Sequence, residues 1–158
     1  MLRLLSIPLL VLALFAVACG DDDDVDAGAP SGTDPDPTAA PVTDLTIEYT
    51  HVSEGIADTY RITCTDDTAS VTGDEVGVDG QAACDALAEP AVRERLTQGA
   101  PTDRACTEVY GGDDTAVITG SIDGTAVDTT VDRTNGCGID EWDGLLAAIL
   151  PSPIGVTP

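Results

Sequence analysis

The amino-acid sequence predicts an α+β fold, an antiparallel β-sheet with two or three helices packed on one face and two disulfides. Three observations lead to it. Polar and apolar residues alternate through residues 45–50, 59–64 and 116–132, the period of strands with one wet face. Between positions 139 and 149 the apolar residues recur at spacings of three and four, the period of an amphipathic helix. Four cysteines, Cys64, Cys84, Cys106 and Cys137, are spread through the same region, an even number that reads as a disulfide framework in an exported domain. Of the three pairings open to four cysteines, the residues alone select none.

The first element is a leader. Arg3 precedes an apolar run over residues 4–17 that is too short and wrongly flanked to span a membrane, but has the charged and apolar regions of a secretory signal. It ends in Ala16-Val17-Ala18-Cys19, and small residues before a cysteine at that place resemble the bacterial lipobox. The resemblance implies that residues 1–18 are removed and that Cys19 carries lipid, anchoring an exported protein on the outer face of the bacterial cell membrane. An ordinary leader would leave this thiol without a role. Two or more acyl chains, at about 0.8 kcal/mol per buried CH2, make such an anchor stable.

Residues 19–44 follow as a tether. The stretch holds four consecutive aspartates at 21–24, four prolines and almost nothing apolar, so it cannot bury enough surface to fold. Its reach lies between about 25 Å for a coil and about 80 Å when taut. The aspartate run lacks the ligand alternation and the turn glycine of a calcium loop, so a solvated spacer is expected.

The folded domain is expected over residues 45–158. Leu45, Ile47 and Tyr49 alternate with Thr46, Glu48 and Thr50; after Ser53-Glu54-Gly55, Tyr60, Ile62 and Cys64 alternate with Thr59, Arg61 and Thr63. These read as an antiparallel pair. Asp79 caps a short helix with Cys84, Leu87 and Ala88 inward, and Pro90 opens another turn carrying Val92 and Leu96. Asp123-Gly124 reads as a two-residue hairpin turn pairing Ile122 with Thr125. In that register Ala116, Ile118, Ile122, Val127 and Val131 share one face, and Thr119, Ser121, Asp128, Thr130 and Asp132 share the other. The last helix carries Ile139, Trp142, Leu145, Leu146 and Ile149 toward the sheet, with Asp140 as its cap, Pro151 as its stop and residues 151–158 as a loose tail.

Composition excludes several functions. With 29 acidic residues against six arginines the formal net charge is -23, and losing a leader that contains Arg3 makes it one unit more negative. Such a field repels phosphate backbones, so no nucleic-acid partner is expected. Once Phe15 leaves with the leader, Tyr49, Tyr60, Tyr110 and Trp142 are the only aromatic residues, too few for a base-stacking platform. His51, read as a half-exposed strand residue, is the only histidine, and no Gly-x-Ser-x-Gly, His-Glu-x-x-His or phosphate-binding glycine loop is present. No enzyme is expected. With one histidine and no two cysteines close together, neither a metal site nor a cofactor is expected.

The most informative stretch is Ala105-Cys106-Thr107-Glu108-Val109-Tyr110, followed by the hairpin, Asn135-Gly136-Cys137 and the Trp142 helix. Together with a first cysteine at a strand end and a second in Ala82-Ala83-Cys84-Asp85-Ala86-Leu87, this ordered set resembles the subtilisin inhibitor-like family of bacterial serine protease inhibitors over roughly residues 45–150. The resemblance implies the pairs Cys64 with Cys84 and Cys106 with Cys137. It implies a protease-binding loop of Cys106, Thr107, Glu108, Val109 and Tyr110 running from P3 to P2′, with Glu108-Val109 as the reactive bond. Asn135 would support the loop backbone from beneath, and a sheet-mediated homodimer is implied as well. Two features depart from the family: Gly111-Gly112 replaces its usual Asp-Pro, which is expected to loosen the loop's exit, and residues 66–80 replace its Gly-x-His-Pro segment.

The resemblance thus implies an inhibitor whose partner is a secreted serine protease, subtilisin-like or glutamate-preferring. The alternative is a non-inhibitory cell-envelope lipoprotein that keeps the fold and binds another partner through its acidic face.

Overall fold

A computed structural model of the chain describes residues 42–73 and 77–154. The expected leader, Cys19 and nearly all of the expected tether lie outside the described residues. Five strands form one antiparallel sheet: β1 (Thr43–His51), β2 (Ile56–Cys64), β3 (Ala69–Gly73), β4 (Asp114–Ile122) and β5 (Thr125–Asp132), in the order β3-β2-β1-β4-β5. The helices are α1 (Gly80–Ala88), α2 (Pro90–Gln98) and α3 (Gly136–Asp140), the last continuing into a π-helical turn over Glu141–Leu145. This is the α+β architecture that the alternation and the helical stripe predict.

Period-2 patterning decides which face is buried. Leu45, Ile47 and Tyr49 of β1, Tyr60 and Ile62 of β2, Ala116, Ile118 and Ile122 of β4, and Val127 and Val131 of β5 point to one side. There they meet Ala83 and Leu87 of α1, Val92 and Leu96 of α2, and Trp142, Leu146 and Ile149 behind α3 in a single core. Each such aliphatic side chain contributes about 1.5 to 3 kcal/mol by leaving water. The β4–β5 hairpin turns at Asp123-Gly124, both residues at positive φ, with Ile122 opposite Thr125 as expected. The disulfides are Cys64–Cys84, from the end of β2 to α1, and Cys106–Cys137.

Several boundaries differ from the sequence reading. Strand β1 begins at Thr43, two residues before the alternation read from Leu45, because Thr43 pairs with Cys64 and Ile122 on either side, and Asp44 accepts a bond from Arg61 Nε at 2.6 Å. Residues 69–73, which the sequence reading leaves without an element, form the edge strand β3 against β2. In α1 Asp79 is the N-cap, accepting from the Ala82 amide at 2.8 Å, but Ala83 rather than Ala88 faces the core and Cys84 is half-buried. The final helix starts a turn early. Asn135, not Asp140, is its N-cap, because the Asn135 Oδ1 accepts from the amides of Cys137 and Gly138. Pro151 is no loose tail either: it is buried, and its carbonyl accepts from Trp142 Nε1 at 2.9 Å.

Candidate functional site

Residues 101–110 are all exposed, and nothing in a sheet or helix covers them. An apolar pair stands out there. Val109 and Tyr110 remain 59% and 61% exposed, whereas Tyr49, Tyr60 and Trp142 are in the core. The segment therefore presents side chains that burial elsewhere in the molecule would have consumed.

The segment is fixed at both ends by the short connection from β5 to α3. On the entry side the Cys106–Cys137 bridge is reinforced by the Gly136 amide, which donates to the Thr107 carbonyl at 2.9 Å. Arg104 adds a bond from Nη2 to the Cys137 carbonyl at 3.2 Å. On the exit side the Gly111 amide donates to the Arg133 carbonyl at 2.8 Å, and Arg133 Nη1 donates back to the Gly111 carbonyl at 2.5 Å. Between these main-chain anchors stand only Glu108, Val109 and Tyr110. The Tyr110 hydroxyl bonds Asp113, which turns the ring along the exit leg. Among the described residues no donor or cation meets the Glu108 carboxylate.

The glycines are close-contact positions. A Cβ on Gly111 would come within 2.5 Å of Ile139 Cγ1 and 3.2 Å of the Arg133 carbonyl oxygen, and one on Gly136 would overlap the Thr107 hydroxyl. Gly112 has φ +138°, a conformation other residues rarely adopt. Beside the expected loosening of the exit by Gly111-Gly112 the structure shows a close contact: the missing side chains let the exit leg lie directly on α3 and Arg133.

A buried polar network lies under this exit. Arg133 is 2% exposed and Asp114, the first residue of β4, is fully buried. Arg133 Nη1 lies 3.6 Å from Asp114 Oδ2, Nη2 donates to Asp143 at 2.7 Å, and the Tyr49 hydroxyl donates to Asp114 Oδ1 at 2.8 Å. Burial first, and then the bond to Asp114, push the Tyr49 phenol well above its ordinary value. A second buried pair, Arg95 with Glu141 at 2.8 Å, ties α2 to the π-helical turn, and Arg104 approaches the same carboxylate at 3.7 Å.

The expected site residues Cys106 to Tyr110 therefore form one continuous exposed arch on a braced base. Asn135 is nearby in a different role. Its side-chain oxygen caps α3, and loop support comes instead from the backbone amide of Gly136 and from Arg133. His51 is buried rather than half-exposed, because it ends β1 on the same core-facing side as Leu45, Ile47 and Tyr49; its Nδ1 has no hydrogen-bond partner among the described residues. Sequence reasoning missed Arg133 and Asp114. Their only sequence signal is an arginine two residues before the Asn135-Gly136-Cys137 run and an acidic residue after the glycine pair. Among the described residues no cluster of His, Cys, Asp and Glu has the grouping of a metal site. Comparison with protein-family models, with curated proteins and with solved structures finds no match to this chain.

Proposed function

We propose that the domain inhibits a serine-type endopeptidase by presenting residues 106–110 as a substrate-like loop, with Glu108-Val109 as the reactive bond. One observation carries the reading: three exposed residues span two main-chain anchors, at Thr107 and Gly111, that both belong to residues 133–136 of the same scaffold. A loop so prepared enters a protease cleft with little further loss of conformational freedom.

The chemistry follows from that bracing. The protease serine attacks the Glu108 carbonyl, the bond to the Val109 nitrogen breaks, and an acyl-enzyme forms with a free Val109 amine. The acyl side is held by the Cys106–Cys137 bridge and the Thr107–Gly136 bond, and the amine side by the Gly111–Arg133 bonds. The amine therefore stays beside the ester and re-forms the peptide bond faster than water attacks. Glu108 as P1 directs the loop to an S1 site with cations or polar donors, since an unpaired carboxylate in an apolar pocket costs about 3 kcal/mol.

The domain has no catalytic role in this reading, and the chain is exported and held at the membrane through lipid on Cys19. Titration of the purified protein against a glutamate-preferring, a subtilisin-like and a trypsin-like serine protease tests it. Tight, slowly reversed inhibition of the first is expected. If none is inhibited and Glu108-Val109 is cut as fast as in an unstructured peptide, the non-inhibitory lipoprotein replaces this reading.

A further inference from the structure

We infer that Arg133 is the positioning residue of the loop's exit, holding Gly111 by both its amide and its carbonyl and so fixing Val109 and Tyr110. For its consequence in inhibition this rests on the reading above. Its structural content stands on the geometry alone.

A guanidinium that is 2% exposed has lost its hydration and depends on the partners that the fold supplies; Nη1 and Nη2 find acceptors, while Nε has none among the described residues. For stability alone, an apolar side chain of similar volume would serve as well or better in such a place. What an apolar residue cannot do is donate. Arg133 Nη1 reaches the Gly111 carbonyl at 2.5 Å while Nη2 reaches Asp143 at 2.7 Å, and Asp114 stands 3.6 Å from Nη1. One planar fork thus joins the loop exit, the start of β4 and the turn behind α3.

The two legs of the loop are secured by different means. Entry is covalent, through Cys106–Cys137. The exit has two glycines in succession, the residues with the most backbone freedom, and no bridge. Charge-assisted bonding from Arg133, backed by two carboxylates, supplies there the restraint that the disulfide supplies at entry.

Arg133→Met alone leaves Asp114 buried without its cation and can unfold the domain, so two other variants carry the test. Asp143→Asn loosens the fork from its exposed end. Arg133→Met with Asp114→Asn removes the fork without stranding a charge. The readouts are amide exchange at Gly111 compared with Ile47 of the central strand, and hydrolysis of Glu108-Val109 by a glutamate-specific serine endopeptidase in excess. In both variants Gly111 should exchange, and the bond should be cut, at least about tenfold faster while Ile47 keeps its protection. Arg133→Lys, which can donate to Gly111 or to Asp143 but not to both in the fork's geometry, should fall between. Unchanged exchange at Gly111 in folded variants, or equal loss at Gly111 and Ile47, overturns the inference. If the wild type inhibits no protease yet Gly111 alone loses protection in the variants, the inhibitor reading fails and the positioning role stands.

Discussion

Glu108 is the residue on which the proposed specificity turns, because its side chain is exposed on the arch and meets no partner among the described residues. Replacing it should therefore alter what the loop meets and not what holds it. Glu108→Lys is expected to shift inhibition from glutamate-preferring to trypsin-like enzymes, with the unfolding free energy unchanged within about 0.5 kcal/mol, as for other exposed loop positions. Paired inhibition constants for the two proteins against the two enzymes check it. Gly111 is the opposite case. Its absent Cβ is the space occupied by Ile139, so Gly111→Ala must push Ile139 aside or lift the exit leg, at a cost of about 1 to 3 kcal/mol. Hydrolysis of Glu108-Val109 should accelerate in that variant; a resistant bond would mean the exit contact does not govern the loop.

Among the elements, the connection from β5 to α3 does most to shape the site. Within five residues it offers the Arg133 carbonyl and guanidinium, the Asn135 cap, the Gly136 amide and Cys137. Start of helix and loop base are thus one structure. The two disulfides differ in what they restrain. Cys64–Cys84 joins β2 to α1 inside the fold, whereas Cys106–Cys137 joins the arch to its base. On the chain-entropy view each contributes about 3 to 4 kcal/mol. Removing Cys64–Cys84 as a pair of alanines should lower the unfolding midpoint and leave inhibition of the folded protein intact. Removing Cys106–Cys137 in the same way should lower the midpoint by a similar amount and, in addition, turn the proposed inhibitor into a substrate. Equal effects on inhibition would remove the distinction.

At the scale of the whole molecule, charge and burial set the conditions under which the domain persists. Every arginine among the described residues is ion-paired: Arg61 with Asp44, Arg93 with Asp123, Arg95 and Arg104 with Glu141, and Arg133 with Asp143. Among the described residues no arginine is therefore left unpaired to offset the acidic surface. Tyr49 and Tyr60 respond to the other end of the pH scale. Burial raises both phenols well above the ordinary value near 10, and Tyr60 also donates to the Ile149 carbonyl at 2.6 Å. A raised folded-state value favours the protonated form, so this stability is complete below about pH 10 and is lost as pH rises beyond it. The denaturation midpoint should be level from pH 7 to 9 and fall above 10, and Tyr60→Phe should flatten that fall. The proposed lipid anchor is tested separately. Cys19→Ala should abolish acylation and move the protein from the detergent phase to the aqueous phase; an intact mass without lipid on the wild type would refute the anchor.

Local pattern alone determined much of this protein. Alternation placed β1, β2 and the β4–β5 register, and the Asp123-Gly124 turn fixed that register to the residue, because side chains repeat every two positions and a one-residue slip would bury Asp128 and Thr130. Asp79 and Pro90 marked their helices for an equally local reason, the unpaired amides of a first turn. The candidate arch was implied only by the family resemblance that the residues around Cys106, Cys137 and Trp142 carry. What held it was not legible there. The Gly111 contact with Ile139 and the Tyr49, Asp114 and Arg133 network join residues between about 20 and 90 positions apart, whereas the Asn135 cap is a local signal that the sequence reading passed over. Glycine reads in sequence as freedom, and only packing turned Gly111 into a point of contact. Arginine near a surface loop reads as solvated charge, and only the closing of β4 and the π-helical turn over Arg133 removed its water and left the Gly111 carbonyl and two carboxylates as its partners.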